Sequence, residues 1–573
     1  MSWQDTYLIW SKEEMLEKSL KEELLLLQGN EEALKEAFYA PLEFGTAGMR
    51  GILGVGINRM NIYTVRQATE GLVRLLDAKG DKKKRGVVIA YDSRHFSAEF
   101  AGQAAKVLAN HNIPSFVFES LRPTPELSFA VRELKALAGI MITASHNPAQ
   151  YNGYKVYGEN GGQMSPYDAN ILTEYVLAIE NPLMIKVADE KQAQRKGLIK
   201  IVGEDLDNKY LELIKEVTLN QELINEVGKD LKLVYTPLHG AGEKIAWRAL
   251  MQAGFTAVSV VKEQAVPDKN FSTLKVPNPE EESAFELAIK LGKKVGADIL
   301  IATDPDADRL GVAVCMPNGF YQVLTGNQIA ALLAKYLLET HKQKGTLHKN
   351  AAILKSIVSS ELVTKIAKSY NVAVFNVLTG FKFIAEKIQE FENANSYEYL
   401  FGFEESYGYL VKPFVRDKDA IQALLLTAEV AAFYKKQGKS LYDGLQDIFK
   451  EYGYYFEKTI SITMDGIGGV KKIKELMEKF RNEAFNVFDE IVISVIEDYK
   501  TQTAITSKKE ITKLVTSPSN VLKYLLEDAS WIAVRPSGTE PKVKFYLATS
   551  ANNEKKAQAK IDKLEKEIRK VLN

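Results

Sequence analysis

The sequence predicts an α/β protein of about four domains, the last of them a smaller α+β unit. Three observations carry that expectation. The chain has 573 residues, too many for one hydrophobic core. Apolar strand-like runs alternate with helical patterns, the mark of α/β layering. A strand, a polar loop and a helix also recur several times, each time with a distinctive loop, while no short tandem repeat or low-complexity tract is present.

Hydrophobic residues make up 46% and charged residues 26% of the chain, ordinary proportions for a globular protein. The 74 basic and 74 acidic side chains cancel, which argues against a whole-protein attraction to nucleic acid or to an anionic membrane. The single cysteine, Cys315, cannot form a disulfide within the chain, so a reducing cytoplasm is the expected home. The start, with Trp3, Asp5, Glu13 and Glu14, lacks the basic and apolar stretches of a signal peptide, and no apolar run is long enough to span a bilayer. A soluble cytoplasmic protein is the expectation.

Taken in order, Ser11-Lys12-Glu13-Glu14 has capping-box spacing and predicts an amphipathic helical stretch running to about Tyr39. Strands are then expected at 86–91, 139–143, 231–235, 297–303, 351–357, 372–378 and 397–401. Most of these runs are continuously apolar, as in strands covered on both faces. In the last quarter, strands are expected at 458–464, 491–496, 530–534 and 543–549. A final helix follows, with Ile561, Leu564, Ile568 and Leu572 on one stripe. Boundaries near 205, 324 and 450 give domains 1–205, 206–324, 325–450 and 451–573.

The strongest chemical signal is Thr303-Asp304-Pro305-Asp306-Ala307-Asp308-Arg309, directly after an apolar strand. Three carboxylates at alternate positions in a loop can converge on one hard cation, whereas alternate side chains along a strand point apart. A solvated acidic turn is the bland alternative, but such a turn needs no buried strand to aim it. An EF-hand would require Gly and Glu where Arg309 and Cys315 stand. A haloacid dehalogenase-type phosphatase would want Thr or Val in place of Asp308. A divalent site at Asp304, Asp306 and Asp308, with Mg²⁺ favoured, is the reading that remains.

Arg535-Pro536-Ser537-Gly538-Thr539-Glu540-Pro541-Lys542 gathers a guanidinium, two hydroxyls, a glycine and a lysine, donors that together suit phosphate better than a plain hairpin turn. Gly402-Phe403-Glu404-Glu405-Ser406-Tyr407-Gly408 offers carboxylates and a hydroxyl to sugar hydroxyls, although alone it reads equally as an acidic surface turn. Leu378-Thr379-Gly380-Phe381-Lys382 is a strand-to-helix turn with one lysine. The glycine-rich Phe44–Gly51 segment is neither a dinucleotide fingerprint nor a Walker loop. Gly438-Lys439-Ser440 fails as a Walker loop because Phe433 stands where its first glycine belongs, which argues against ATP as phosphoryl donor.

Thr143-Ala144-Ser145-His146-Asn147-Pro148 sets a serine at the mouth of a buried strand. Ala144 and His146 flank it, so the Gly-x-Ser-x-Gly elbow of a hydrolase is absent. A histidine at i+1 ordinarily points away from its neighbour. A phosphorylated Ser145 fits the other loops better, because a metal on the aspartates could share its phosphate and the Arg535 loop could hold a second one.

The set TASHNP, DPDADR, GFEES and RPSGTEP, in that order and spread over four units, resembles the α-D-phosphohexomutase superfamily. It looks most like the branch of long phosphoglucomutases that also includes phosphopentomutases. The resemblance covers nearly the whole chain. It implies three similar α/β domains and a smaller fourth around a central cleft, with Ser145 as the phosphoserine. It further implies Mg²⁺ on that phosphate, Asp304, Asp306 and Asp308, with Arg309 beside them at the substrate. Glu404 and Ser406 would hold sugar hydroxyls, with Thr379, Gly380 and Lys382 on a second sugar-contacting turn. Arg535, Ser537, Gly538 and Thr539 would hold the non-reacting phosphate. Arg50 matches an arginine near the phosphoserine, and Lys155 a lysine proposed for proton transfer, with His146 the other candidate. Pro305 replaces a more usual glycine, and Tyr407-Gly408-Tyr409 replaces a Gly-His ending, which removes one acid/base candidate. The implied activity is an isomerase that passes glucose 1-phosphate to glucose 6-phosphate through glucose 1,6-bisphosphate. A phosphopentomutase or phosphomannomutase is the alternative within the class, and a metal-dependent sugar-phosphate phosphatase or a non-catalytic sugar-phosphate binder lies outside it.

Overall fold

The computed structural model describes residues 2–45, 48–464, 469–483, 492–537 and 542–572. The chain forms two compact units. One comprises Met1–Gly326, Ala385–Gln389 and Ser406–Leu441, the other Asn327–Ile384, Glu390–Glu405 and Tyr442–Asn573.

The first unit contains two mixed sheets. The larger runs in the order Phe44–Gly45, Gly48–Ile52, Tyr151–Gly158, Ala138–Ile142, Val87–Tyr91, Ser115–Phe118 and Ile199–Val202. Its last four strands are parallel, and the others pair antiparallel. Val87–Tyr91 and Ala138–Ile142 lie at its centre, where burial on both faces explains their unbroken apolar sequences. The second sheet runs Tyr321–Val323, Leu310–Cys315, Ile299–Thr303, Leu233–Thr236 and Val258–Val260. Ile299–Thr303 runs parallel to Leu233–Thr236 but antiparallel to Leu310–Cys315, so the acidic loop between Thr303 and Leu310 closes a hairpin. Helix Ala420–Lys436 is buried nearly all round and begins at Asp419, whose carboxylate accepts from the amides of Ile421 and Gln422 at 2.9 and 3.0 Å.

The expected helical stretch from Ser11 to Tyr39 is instead three helices, Trp3–Lys12, Lys18–Leu26 and Glu31–Phe38. The capping box belongs to Ser2 and Asp5, while Ser11 ends the first helix with its hydroxyl donating to the Leu8 carbonyl. Glu17 and Asn30 cap the second and third helices, and Gly29, at φ +88°, separates them. The breaks let Trp10, Leu24, Leu34 and Phe38 share one core with Val55 and Tyr63.

In the second unit, Ala373–Val377, Ala351–Ser356 and Glu398–Glu404 form a parallel set. A seven-stranded antiparallel sheet follows, ordered Tyr454–Thr463, Lys542–Ala551, Trp531–Pro536, Leu522–Leu526, Ile493–Asp498, Thr503–Thr506 and Ile511–Lys513. Helices Gly469–Glu483 and Glu554–Leu572 cover it, burying Met477, Phe480, Ile561, Leu564 and Ile568. The expected strand start at Ile491 lies outside the described residues. A core of Ile357, Val358 and Leu378 with Tyr499, Val521 and Trp531 joins the parallel strands to this sheet.

Candidate active site

Ser145 follows strand Ala138–Ile142 and is held at φ +52°, a conformation L residues rarely adopt. Side chains behind the loop impose it. The Thr143 hydroxyl donates to Asp92 at 2.6 Å and accepts from the Ser145 amide at 2.8 Å. Asp92 also accepts from the Ser97 hydroxyl and the Arg94 amide, and burial pushes its carboxyl above the ordinary range despite Arg94 beside it. The buried Arg94 guanidinium donates to the carbonyls of Ser145, Pro148 and Tyr151 at 2.6, 2.8 and 3.0 Å, and to that of Asn147. Arg50, on the strand paired with Tyr151–Gly158, donates to the Asn147 side chain at 3.1 Å. The bent loop brings His146 Nδ1 to 3.3 Å from Ser145 Oγ, against the expectation that a neighbouring histidine points away.

The acidic loop meets this serine. Ser145 Oγ donates to Asp304 Oδ2 at 2.7 Å. Asp304, Asp306 and Asp308 are 0, 0 and 2% exposed, and one oxygen from each lies within 4.8 Å of the others. The other oxygen of Asp304 accepts from the amides of Asp308 and Arg309 at 3.1 and 3.0 Å. Pro305 packs so closely on the loop before helix Glu243–Ala253 that a Cβ on Gly240 would stand 2.3 Å from its Cα. Burial, then the charges of Asp306 and Asp308, hold the Asp304 carboxyl well above its ordinary value. Burial also works against ionisation of Asp306, but Lys155 outweighs it and keeps that carboxylate low.

These three residues fit a divalent cation. Asp306 Oδ1 and Asp308 Oδ1 are buried and have no hydrogen-bond partner among the described residues. A buried anionic oxygen without a donor is costly, and an all-oxygen set suits Mg²⁺.

Two buried lysines flank the carboxylates. Lys155 lies on Tyr151–Gly158, paired with Met141, and its ammonium is 2.7 Å from Asp306 and 3.6 Å from Asp308. Lys418 reaches Asp308 at 3.1 Å and Asp417 at 3.2 Å, and sequence reasoning missed it. The signal was available: Arg416-Asp417-Lys418-Asp419 is a charged run opening a helix that is apolar on every face, and such a run must find partners inside. Arg309 turns its guanidinium to Glu280, and Ser406 lies half-buried in the turn before Tyr407. Tyr407 and Tyr409 donate their hydroxyls to the carbonyls of Leu324 and Gly326, so both are occupied in packing.

The second unit gathers the remaining candidates in two places. Glu404, at the end of Glu398–Glu404, accepts from the Gly380 amide at 2.6 Å, which ties this carboxylate to the Thr379-Gly380-Phe381-Lys382 turn. Gly380 sits at φ +116° before helix Phe381–Ala394, and Lys382 is buried with its ammonium 5.1 Å from the Phe383 ring. Arg535 ends strand Trp531–Pro536 beside Tyr546, and the Ser537 amide donates to the Lys542 carbonyl at 2.7 Å. Gly538 and Thr539 lie outside the described residues.

The chain matches the phosphoglucomutase/phosphomannomutase family in four successive segments. Alpha/beta/alpha domain I covers residues 41–182, domain II 208–316 and domain III 325–452, and the C-terminal domain covers 494–570. A phosphoglucomutase from Staphylococcus aureus (strain bovine RF122 / ET3-1) is 41% identical over 521 residues, 91% of each chain. Among solved structures, parafusin, an exocytosis-sensitive phosphoprotein and phosphoglucomutase of Paramecium in its open form, superposes with a TM-score of 0.67 at 19% identity over 93% of this chain and 96% of that one. A phosphoglucomutase/phosphomannomutase family protein from Burkholderia thailandensis gives 0.64 at 18% identity over 92% and 97%. Both share the fold. Three α/β domains and a C-terminal domain, matched in order and carrying the four motifs, make this chain a member of the phosphoglucomutase/phosphomannomutase family.

Proposed function

We propose that this chain is an α-phosphoglucomutase, interconverting glucose 1-phosphate and glucose 6-phosphate through a phosphoserine at Ser145 and a glucose 1,6-bisphosphate intermediate. The observation that carries the reading is the contact of Ser145 with the carboxylate trio, 2.7 Å from Oγ to Asp304, in a backbone conformation that its neighbours enforce. Forty-one per cent identity to curated phosphoglucomutases over most of the chain supports glucose as the sugar. Its domains are taken as 1–205, 206–324, 325–450 and 451–573.

In the first half-reaction a sugar hydroxyl attacks the phosphorus on Ser145, and in the second the freed Ser145 hydroxyl attacks the other phosphorus of the bisphosphate, with the sugar oxygen leaving. In the first, the P–Oγ bond breaks as the new O–P bond forms, and the hydroxyl proton leaves to a nearby base. His146, 3.3 Å from Oγ, and Lys155 are the two candidates for proton transfer. The bisphosphate then turns end for end and returns its other phosphoryl to Ser145. Glu404 and Ser406 hold ring hydroxyls in either orientation, while Arg535, Ser537, Gly538 and Thr539 retain the phosphate at rest. Asp304, Asp306 and Asp308 would hold Mg²⁺, which when bound withdraws charge from the phosphoryl oxygens. Lys155 keeps Asp306 ionised and oriented, and Lys418 holds the Asp308 carboxylate in place. Glucose 1,6-bisphosphate primes the dephosphorylated enzyme. No helix among the described residues is long and apolar enough to cross a membrane, and a cytoplasmic site of action fits the single cysteine.

The test is to supply glucose 1-phosphate, mannose 1-phosphate and ribose 1-phosphate with Mg²⁺ and to measure isomerisation beside phosphate release. Rapid isomerisation of glucose 1-phosphate without net phosphate release is expected. Stoichiometric release would make the protein a phosphatase, and preference for ribose 1-phosphate a phosphopentomutase.

A further inference from the structure

We infer that Thr124 is a positioning residue of the cation site, one that fixes which oxygen of Asp306 faces the ion. The inference rests on the metal reading of Asp304, Asp306 and Asp308. Thr124 is fully buried and grips Asp306 twice: its amide donates to the Asp306 carbonyl and its hydroxyl to Asp306 Oδ2, both at 2.8 Å. Together the two bonds close a ring around the aspartate and fix its side-chain torsion as well as its backbone. Oδ2 also accepts from Lys155 at 2.7 Å, so its lone pairs are taken up, and Oδ1 is the oxygen left without a donor. The asymmetry decides what Asp306 can offer an ion.

Thr124 suits this task because it cannot easily move. It is the first residue of helix Thr124–Glu133, where an amide has no carbonyl within the helix to bond, and Asp306 supplies one. Its hydroxyl does not cap the helix, and a β-branched side chain has few rotamers to choose from. The approach to the helix is clamped by Arg122, whose amide donates to Tyr91 and whose guanidinium holds both oxygens of Asp207 at 2.8 and 3.1 Å. Lys155, by contrast, is a flexible side chain shared between Asp306 and Asp308. Thr124 is therefore the donor that keeps the carboxylate in register when the lysine shifts. Partners that orient ligands in this way typically set metal affinity by about 10–100-fold.

Mn²⁺ binding to the full chain, measured by electron paramagnetic resonance without substrate, tests this independently of turnover. Thr124→Val keeps the shape and removes the hydroxyl, and it should weaken Mn²⁺ binding about tenfold. Thr124→Ser restores the hydroxyl and should bind Mn²⁺ close to the wild type. Without the ion, Thr124→Val should unfold at a lower temperature because it loses a buried hydrogen bond, and the upward shift produced by added Mn²⁺ should also shrink for that variant alone. Equal Mn²⁺ affinity in Thr124→Val and wild type would overturn the inference, as would an equal loss in Thr124→Ser. If Thr124→Val does not fold, Thr124→Ala, which keeps the amide bond to Asp306, is judged by the same two outcomes. A wild-type chain that binds no Mn²⁺, with Asp306→Asn indistinguishable from it, would instead overturn the metal reading on which the inference stands.

Discussion

The two units handle buried charge differently. In the first, several buried charges meet opposite ones: Asp306 faces Lys155, Asp308 faces Lys418, Arg122 faces Asp207 and Arg94 faces Asp92. In the second, Lys355 meets Glu361 at 2.9 Å, but Lys523 is buried with its ammonium on the Ile357 carbonyl at 2.7 Å and 4.6 Å from the Trp531 ring. Burial, and after it the nearby Lys355, brings its pKa down to about 8. Phosphoryl transfer needs a field that is in place before the substrate arrives, because charges that must reorganise during the reaction contribute less. A unit that contributes Glu404 to sugar hydroxyls and Arg535 to a resting phosphate, as proposed above, has no such requirement. Damage to the first unit should therefore appear in kcat, and damage to the second in binding or in stability.

The largest effect belongs to Ser145→Ala, which removes the proposed phosphoryl carrier. Turnover should fall by about ten-thousandfold or more, with the unfolding midpoint nearly unchanged because no core volume is lost. Intact-mass and peptide analysis of the wild type should find phosphate on Ser145 in part of the population. Phosphate confined to other residues in active enzyme would break the comparison at its centre. Next comes Asp306→Asn, which keeps the shape but neutralises one of the three carboxylates. The expected loss in kcat is on the order of a hundredfold to a thousandfold, with a raised Mg²⁺ requirement. Activity that is unchanged at limiting Mg²⁺ would reduce the acidic loop to a solvated turn.

Arg535→Ala should cost about tenfold to a hundredfold in kcat/KM, the worth of a charge-assisted bidentate contact. The bisphosphate should escape more often before it reorients, leaving more enzyme dephosphorylated, and added glucose 1,6-bisphosphate should recover part of the rate. A loss in kcat alone, with no effect of bisphosphate, would show that the second unit also acts on the chemical step. The smallest effect concerns Lys523. Its folded pKa, about 8, lies below the ordinary 10.5. Below pH 8 both states are protonated and the native state bears the burial cost in full. Between pH 8 and 9.5 the native lysine sheds its proton while the unfolded one keeps it, so stability should rise. Denaturant midpoints at pH 7.5 and 9.5 should show that rise in the wild type and a flatter response in Lys523→Met.

The loops that carry chemistry were legible because each is a polar run bounded by apolar strands, as Asp304–Asp308 and Thr143–Pro148 illustrate. What surrounds them was not. Thr124, Arg94 and Asp92 act through contacts across 182, 51 and 51 residues of sequence, and no local pattern marks a threonine that will meet a distant aspartate. Strand Tyr151–Gly158 escaped notice because Asn152 and Gly153 are poor strand formers. A Cβ on Gly153 would come within 2.5 Å of the Thr143 carbonyl oxygen, so packing outweighs propensity there. The three N-terminal helices were read as one because apolar residues keep helical spacing across the Gly29-Asn30 break.

Pro305 has a consequence in the unfolded ensemble. A proline restricts the disordered chain far more than the glycine usual at this place, so less conformational freedom is surrendered when the acidic loop takes its folded shape. Its backbone position is also set from outside, since Gly240 packs against its Cα and the Ala241 amide donates to its carbonyl at 2.8 Å. Packing from outside thus adds to the proline's own restriction in holding the three carboxylates together. Pro305→Gly should return that freedom at about 0.4–1 kcal/mol of stability, and the carboxylates would then have to be gathered anew with each ion bound.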